Sequence, residues 1–316
     1  DEDFFVSINV GAGSATVIIL DSTGRGTIVN DDLFGMARVG LVSNDTTGNF
    51  ARVNLDAGVG GGMVDDWPYI AAVDSVNGGD FIDATGTTYV FAANQFSDAT
   101  LFTEQLFSLN PATGVITPGA AITGLPEEPN PTPGGDPLPY LIADLSWDAA
   151  NNRMLALVIQ TGLGLTQIGA IDTNTGVYTT IQTYQDDQVS GGVGGFSGMG
   201  ADNNGDIYVV GLNTDFDQNV VLQADLSTPD SMLFIGNMNI PANLFFFGPL
   251  ADVQAGTGNL FASFTDFSTD TVSFYQVNKG TGAATLIGTN CAAGDVISFA
   301  VFPAGASVDD WSLLTD

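Results

Sequence analysis

The chain contains no histidine, a single cysteine and only five basic residues among its 316. Without an imidazole, Ser-His-Asp and Cys-His nucleophile systems are excluded, and so are histidine-ligated metal centres. Cys291, being alone, forms no internal disulfide and reads as a small buried hydrophobe. The basic residues Arg25, Arg38, Arg52, Arg153 and Lys279 stand against 36 acidic ones, giving a net charge of −31. Such a surface repels nucleic acid and anionic membranes, because both need Lys and Arg to neutralise phosphate. Phosphorylated substrates are disfavoured for the same reason. No uninterrupted apolar stretch is long enough to span a bilayer as a helix, and none shows sustained helical periodicity.

What the chain does contain is a recurring hairpin. Ile168–Ile181 reads as strand, tight turn and strand, with Asp172-Thr173-Asn174-Thr175-Gly176 supplying the turn and Gly its positive-φ position. The unit recurs at Leu106–Thr117, at Phe274–Gly288, as a proline-containing variant at Val220–Gly236, and as a shorter echo at Phe50–Gly58. The closing glycines Gly58, Gly114, Gly176 and Gly282 lie 56, 62 and 106 residues apart. The last gap is about twice the others, with the variant near its middle. A unit recurring at that interval marks a repeat architecture. Forty glycines and an apolar content of 44% fit short strands, tight turns and a substantial core. The mean hydropathy of +0.23 is high enough to expect apolar surface meant for a partner.

Taken in order, residues 33–303 divide into four complete four-stranded units. Their strands are expected at Tyr69–Asp74, Thr88–Ala93, Gln105–Asn110 and Ile116–Thr123; Leu141–Trp147, Met154–Ile159, Gln167–Asp172 and Tyr178–Thr183; Phe196–Ala201, Asp206–Leu212, Asn219–Asp225 and Met232–Met238; and Pro249–Gln254, Asn259–Phe264, Val272–Asn278 and Ala284–Gly288. Pro126–Pro139 cannot enter a sheet interior and reads as a surface loop. Asp295–Phe302 is left over at the end, while Met36–Val42 and Asn49–Leu55 lack an inner strand at the beginning. Joining them closes a ring without exposed edges. The fold expected is therefore an all-β, five-bladed β-propeller, with six blades as the alternative if residues 1–30 build one. Residues 304–316 form a tail.

The pattern Ile171-Asp172…Thr175-Gly176 and Thr281-Gly282…Ile287-Gly288 resembles the repeat of secreted bacterial β-propellers; the resemblance implies a fold and no activity. Residues 1–32 stand apart. Glu2, Phe4 and Val6, followed by Gly26-Thr27-Ile28-Val29 and Asn30-Asp31-Asp32, resemble the last strands of a Calx-β domain. An isolated hairpin is marginal in water. This one is expected either to pack on its own propeller or to add as a strand to a neighbouring molecule. The second case makes Phe4, Phe5, Val6, Ile8, Val10, Val17, Ile18, Ile19 and Leu20 an assembly interface. A chain that starts at Asp1 without a signal peptide reads as processed or truncated, and its acidity suits a saline, calcium-rich exterior at the cell surface or beyond it.

Three kinds of chemistry remain. Asp202-Asn203-Asn204-Gly205-Asp206 has the oxygen-rich composition of a calcium loop, although Asp148–Asn152 occupies the equivalent turn of the preceding unit and favours a plain turn. The Calx-β resemblance implies calcium at Asp31 and Asp32. Ca2+ is thus the one cofactor expected, at Asp31 and Asp32 or at Asp202, Asn204 and Asp206. Asp215, Asp217, Asp266 and Asp270 sit in loops that form an acidic rim. Trp67, Trp147, Trp311 and Phe245-Phe246-Phe247 read either as inter-blade packing or as a sugar platform. A carboxylate glycosidase needs a carboxyl of raised pKa beside a second one. Of the four glutamates, Glu2, Glu104, Glu127 and Glu128, only Glu104 lies beside a blade strand. The leading expectation is a non-enzymatic extracellular structural protein that assembles with copies of itself into a filament or surface layer. The alternatives are a calcium-dependent adhesion module with a glycan or protein ligand and, third, a carbohydrate-active enzyme.

Overall fold

The computed structural model describes residues 39–44, 50–55, 58–59, 63–66, 75–98, 101–111, 113–128, 138–160, 165–185, 193–215, 217–228, 231–241, 250–266, 271–290 and 296–304. The Calx-β-like segment, Asp31 and Asp32, and the assembly residues Phe4, Phe5, Val6, Ile8, Val10, Val17, Ile18, Ile19 and Leu20 lie outside these, as do Cys291, Trp67, Trp311 and Phe245–Phe247.

The described fold is all-β and has the arrangement of a propeller. Four blades are each a meander of consecutive antiparallel strands. The first comprises Ser75–Phe81, Tyr89–Asp98, Leu101–Asn110 and Val115–Ala121; the second Leu141–Asp148, Arg153–Gln160, Leu165–Ile171 and Tyr178–Gln185. The third comprises Val193–Ala201, Ile207–Asn213, Gln218–Ala224 and Met232–Pro241; the fourth Leu250–Val253, Leu260–Asp266, Thr271–Val277 and Ala284–Asn290. A further sheet is composite, in the order Val296–Val301, Val39–Asn44, Phe50–Asn54 and Met63–Asp66. In it Leu41 faces Ala300 and Val42 faces Phe299 across an antiparallel ladder. The first strand of each blade lies innermost, and Val296–Val301 packs between Leu250–Val253 and Ser75–Phe81.

Alternation explains why these segments are strands. Each blade turns one row of apolar residues to each neighbouring blade, so the core is divided into layers between sheets. Phe81, Tyr89, Phe91 and Phe107 of the first blade pack with Phe50, Ala300 and Phe302 of the composite sheet. Leu145, Met154 and Ile171 meet Val90, Ala92 and Leu106. Leu155, Leu157 and Ile168 meet Met199, Val209 and Leu222. Leu250, Phe261 and Phe274 close on Leu55, Phe299 and Val301.

Two elements differ from expectation. The inner strand of the first blade is Ser75–Phe81; the expected Tyr69–Asp74 lies outside the described residues. Gly78-Gly79 resembles a turn in sequence, but here it forms a bulge between Val76 and Gly79. Gly78 has φ +82°, and a Cβ there would come within 2.4 Å of Asp144 Oδ1, so the inner strands approach closely only because it is glycine. The second element is Gly58–Val59, which adds in parallel to the outer edge of the fourth blade, opposite Gly288 and Thr289. The proline-rich insertion carries one short pair, Glu127–Glu128 with Leu138–Pro139.

Candidate functional site

The inner strands carry carboxylates where apolar residues are the rule. Asp80, Asp144 and Asp252 are all buried, on the first, second and fourth blades. Each reaches the backbone of the next sheet around the ring. Asp80 Oδ2 accepts the Trp147 N–H at 2.6 Å and the Ser146 hydroxyl at 3.3 Å. Asp144 Oδ2 accepts the Met199 N–H at 2.8 Å, and Asp252 Oδ2 accepts the Val301 N–H at 2.6 Å. Ser146 adds a second link by accepting the Ala201 N–H at 2.9 Å, and Tyr89 shares a 2.8 Å hydrogen bond with Ser298. Propeller blades share no ladder with one another, so these bonds satisfy inner-strand N–H groups that would otherwise be buried alone.

Burial raises the proton affinity of all three, and neighbouring charge adds to it at Asp80 and Asp144. Burial pushes Asp80 well above the ordinary carboxylate range, and the charge of Asp252 adds to it, against the pull of the Trp147 and Phe81 N–H groups. Asp144 is raised in the same direction, by burial first. Burial likewise raises Asp252.

Glu104, on the third strand of the first blade, is different. It is 6% exposed, and its Oε1 accepts two long bonds of 3.3 Å, from the Ile142 N–H and the Asn77 amide. Its Oε2 is buried with no hydrogen-bond partner. Burial drives its pKa from 4.5 up to about 7, and the Ile142 and Asn77 bonds offset this only in part. Asn77-Gly78 thus separates two carboxyls, with Glu104 bonded to the amide of Asn77 and Asp144 against the backbone of Gly78. A half-protonated carboxyl with one unengaged oxygen near neutral pH is suited to general acid–base work.

The sequence-predicted residues fall elsewhere. Asp202, Asn204 and Asp206 form the turn after the inner strand of the third blade. Asp202 Oδ1 accepts the N–H groups of Asn204 and Asp206 at 2.9 and 3.0 Å, and Oδ2 pairs with Lys279 Nζ at 2.8 Å. Although burial acts to raise its pKa, these bonds hold it below the usual value. Asp206 Oδ1 accepts from Gln223 Nε2 at 3.0 Å. Asp148 and Asp83 occupy the equivalent turns and cap their own backbones in the same way. Asp217 bonds to Asn213 at the far end of the third blade. Among the described residues no group of three or more Asp, Glu or Cys is placed to hold a metal ion. Glu104 was singled out in the sequence; Asp80, Asp144 and Asp252 were not. The signal that finds them is an aspartate within an otherwise apolar inner strand, as in Ile142-Ala143-Asp144-Leu145 and Leu250-Ala251-Asp252-Val253.

No protein-family model matches the chain, and no curated protein matches it. Solved structures resemble it in fold. A provisionally assigned 6-phosphogluconolactonase from Bacteroides uniformis is 11% identical, with 82% of this chain and 84% of that one covered and a TM-score of 0.44. An exo-β-1,3-galactanase from Clostridium thermocellum is 13% identical over 74% of this chain, which spans about half (51%) of the galactanase, at a TM-score of 0.45. TolB from Acinetobacter baumannii is 10% identical, covering 84% of this chain and 67% of its own, at a TM-score of 0.41.

The expectation of a self-assembling structural protein finds no support: the solved structures of similar fold are mainly enzymes, and the expected assembly residues lie outside the described ones. Val296–Val301 pairs with Val39–Asn44 of the same chain, while the segment expected to add to a neighbouring molecule lies outside the described residues.

Proposed function

We propose that the protein is a hydrolase of neutral glycosides in which Glu104 is the proton donor. The observation that carries this reading is the Glu104 carboxyl itself: buried, raised to about 7, and with Oε2 unengaged. Protonation of the glycosidic oxygen by such a group lowers the barrier to leaving, water adds to the anomeric carbon, and the proton lost by that water restores the carboxyl. A neutral substrate fits better than a phosphorylated one. Arg153 and Lys279 are already paired, with Asp148 and Asp202, each at 2.8 Å, and a surface of −31 opposes an anion. The composite sheet serves in this reading as a fifth blade that completes the ring around the site, and the composition goes with an extracellular setting.

The test is turnover of 4-nitrophenyl β-D-galactoside, β-D-xyloside and α-L-arabinofuranoside by the native chain and by Glu104→Gln. The variant is expected to lose about 100-fold or more in kcat, with a smaller loss for 2,4-dinitrophenyl glycosides, whose leaving group needs no acid. Absence of turnover across the panel, or equal turnover in both proteins, overturns the reading.

A further inference from the structure

The second blade has a groove of about 540 Å3 between its two lower turns, Asp148–Asn152 and Asp172–Val177, within the range of small-molecule sites. It lies at the opposite end of the inner strand from Ile142, the residue that touches Glu104. Six residues of strand put the two about 20 Å apart.

The walls are held by carboxylates. The backbone of Trp147 is fixed by Asp80 through the 2.6 Å bond to its N–H. Arg153, which lines the groove, is held by the buried Asp148, whose Oδ2 accepts Nε at 2.8 Å. Asp172 caps its own turn, with Oδ1 accepting the N–H groups of Asn174 and Thr175 at 2.9 and 3.0 Å. Asn152 is fixed in the left-handed region at φ 50°. A groove whose walls are set before a ligand arrives loses little entropy on binding.

The lining pairs the half-buried indole of Trp147 with the planar amides of Asn152 and Asn174, a guanidinium and the Thr175 hydroxyl. We infer that this groove is a second, non-catalytic site that binds one or two neutral pyranose units, with an aromatic face for the ring C–H groups and amide and guanidinium forks for the hydroxyls. An anionic sugar fits less well, because the guanidinium is already balanced by Asp148 and Asp172 lies across from it.

Ligand-observed saturation-transfer NMR on the whole chain tests this with D-galactose, D-xylose and xylotriose as probes. Saturable binding is expected for at least one of them, weakened about tenfold by Trp147→Ala and by Asn174→Ala and unchanged by Glu104→Gln. Asn152→Gly, which removes an amide while keeping the left-handed backbone, is expected to weaken it as well, and it keeps the test informative should Trp147→Ala fail to fold. No saturable binding of any probe, or binding insensitive to Asn174→Ala and Asn152→Gly, overturns the site. Because Glu104→Gln leaves the groove untouched, failure of the catalytic reading leaves this result standing.

Discussion

Replacing Glu104 with Gln should make the protein more stable above neutral pH and leave it unchanged in acid. The Glu104 pKa rises from 4.5 in the unfolded chain to about 7 in the folded one, with burial as the first cause. Between those values the folded chain keeps a proton that the unfolded chain has released, so this group's contribution falls as pH rises through the window. At about 1.4 kcal/mol for each tenfold change in proton activity, the full cost of ionising it in place is about 3 kcal/mol, reached above pH 7. Gln has nearly the same shape, keeps an oxygen for the Ile142 N–H and the Asn77 amide, and never ionises. Urea unfolding of both proteins at pH 4.5, 6 and 8 measures the difference directly. The native chain and the variant should coincide at pH 4.5, and the variant should gain by about 2 to 3 kcal/mol at pH 8. Self-repulsion from the net charge and the titration of the axial aspartates act on both proteins and cancel. Parallel pH profiles would refute the buried, unengaged carboxyl on which the functional reading rests.

Other outcomes follow from the same geometry. Asp252→Ala strips the partner from the Val301 N–H and should cost about 2 to 4 kcal/mol in urea unfolding; a loss under about 0.5 kcal/mol would mean the axial bonds do not clamp the blades. Gly78→Ala puts a methyl against Asp144 at a positive φ and should destabilise by about 2 kcal/mol or more, read in the same assay. The Asp202–Asp206 turn should not take calcium, since Lys279 and two N–H groups already engage Asp202, so the melting-temperature response to millimolar calcium should be the same in the native chain and in Asp202→Asn. A rise of several degrees that Asp202→Asn abolishes would show that the cation displaces the lysine.

The sequence revealed the repeat because its turns carry their own chemistry. Asp172 followed by Gly176 both caps and reverses the chain, and the strands on either side lie where the alternation puts them. The pairing of Val39–Asn44 with Val296–Val301 joins two segments that the repeat leaves without partners of their own. The inner strand Ser75–Phe81 was not legible, because Gly78-Gly79 mimics a turn, and only the closeness of Asp144 on another blade explains it. The site was legible to a lesser degree. Glu104 stood out by its scarcity, yet its raised proton affinity comes from burial between blades, which the Ile142 N–H, 38 residues away, offsets only in part. The charge of Asp252 acts on Asp80 from a blade far along the chain, a relation that local spacing does not encode. Composition alone gives Asp202–Asp206 its calcium-like look, and what the structure adds is that Asp202 caps the turn and pairs with Lys279.

The partnership of Val296–Val301 with Val39–Asn44 has a consequence for biosynthesis. These segments lie about 250 residues apart in sequence, so the edge of Val39–Asn44 stays unpaired on the ribosome until Val296–Val301 has been made. Maturation should therefore be a slow event governed by a long search for the partner strand. A nascent molecule cut short of Val296–Val301 would accumulate half-made and stick to its fellows.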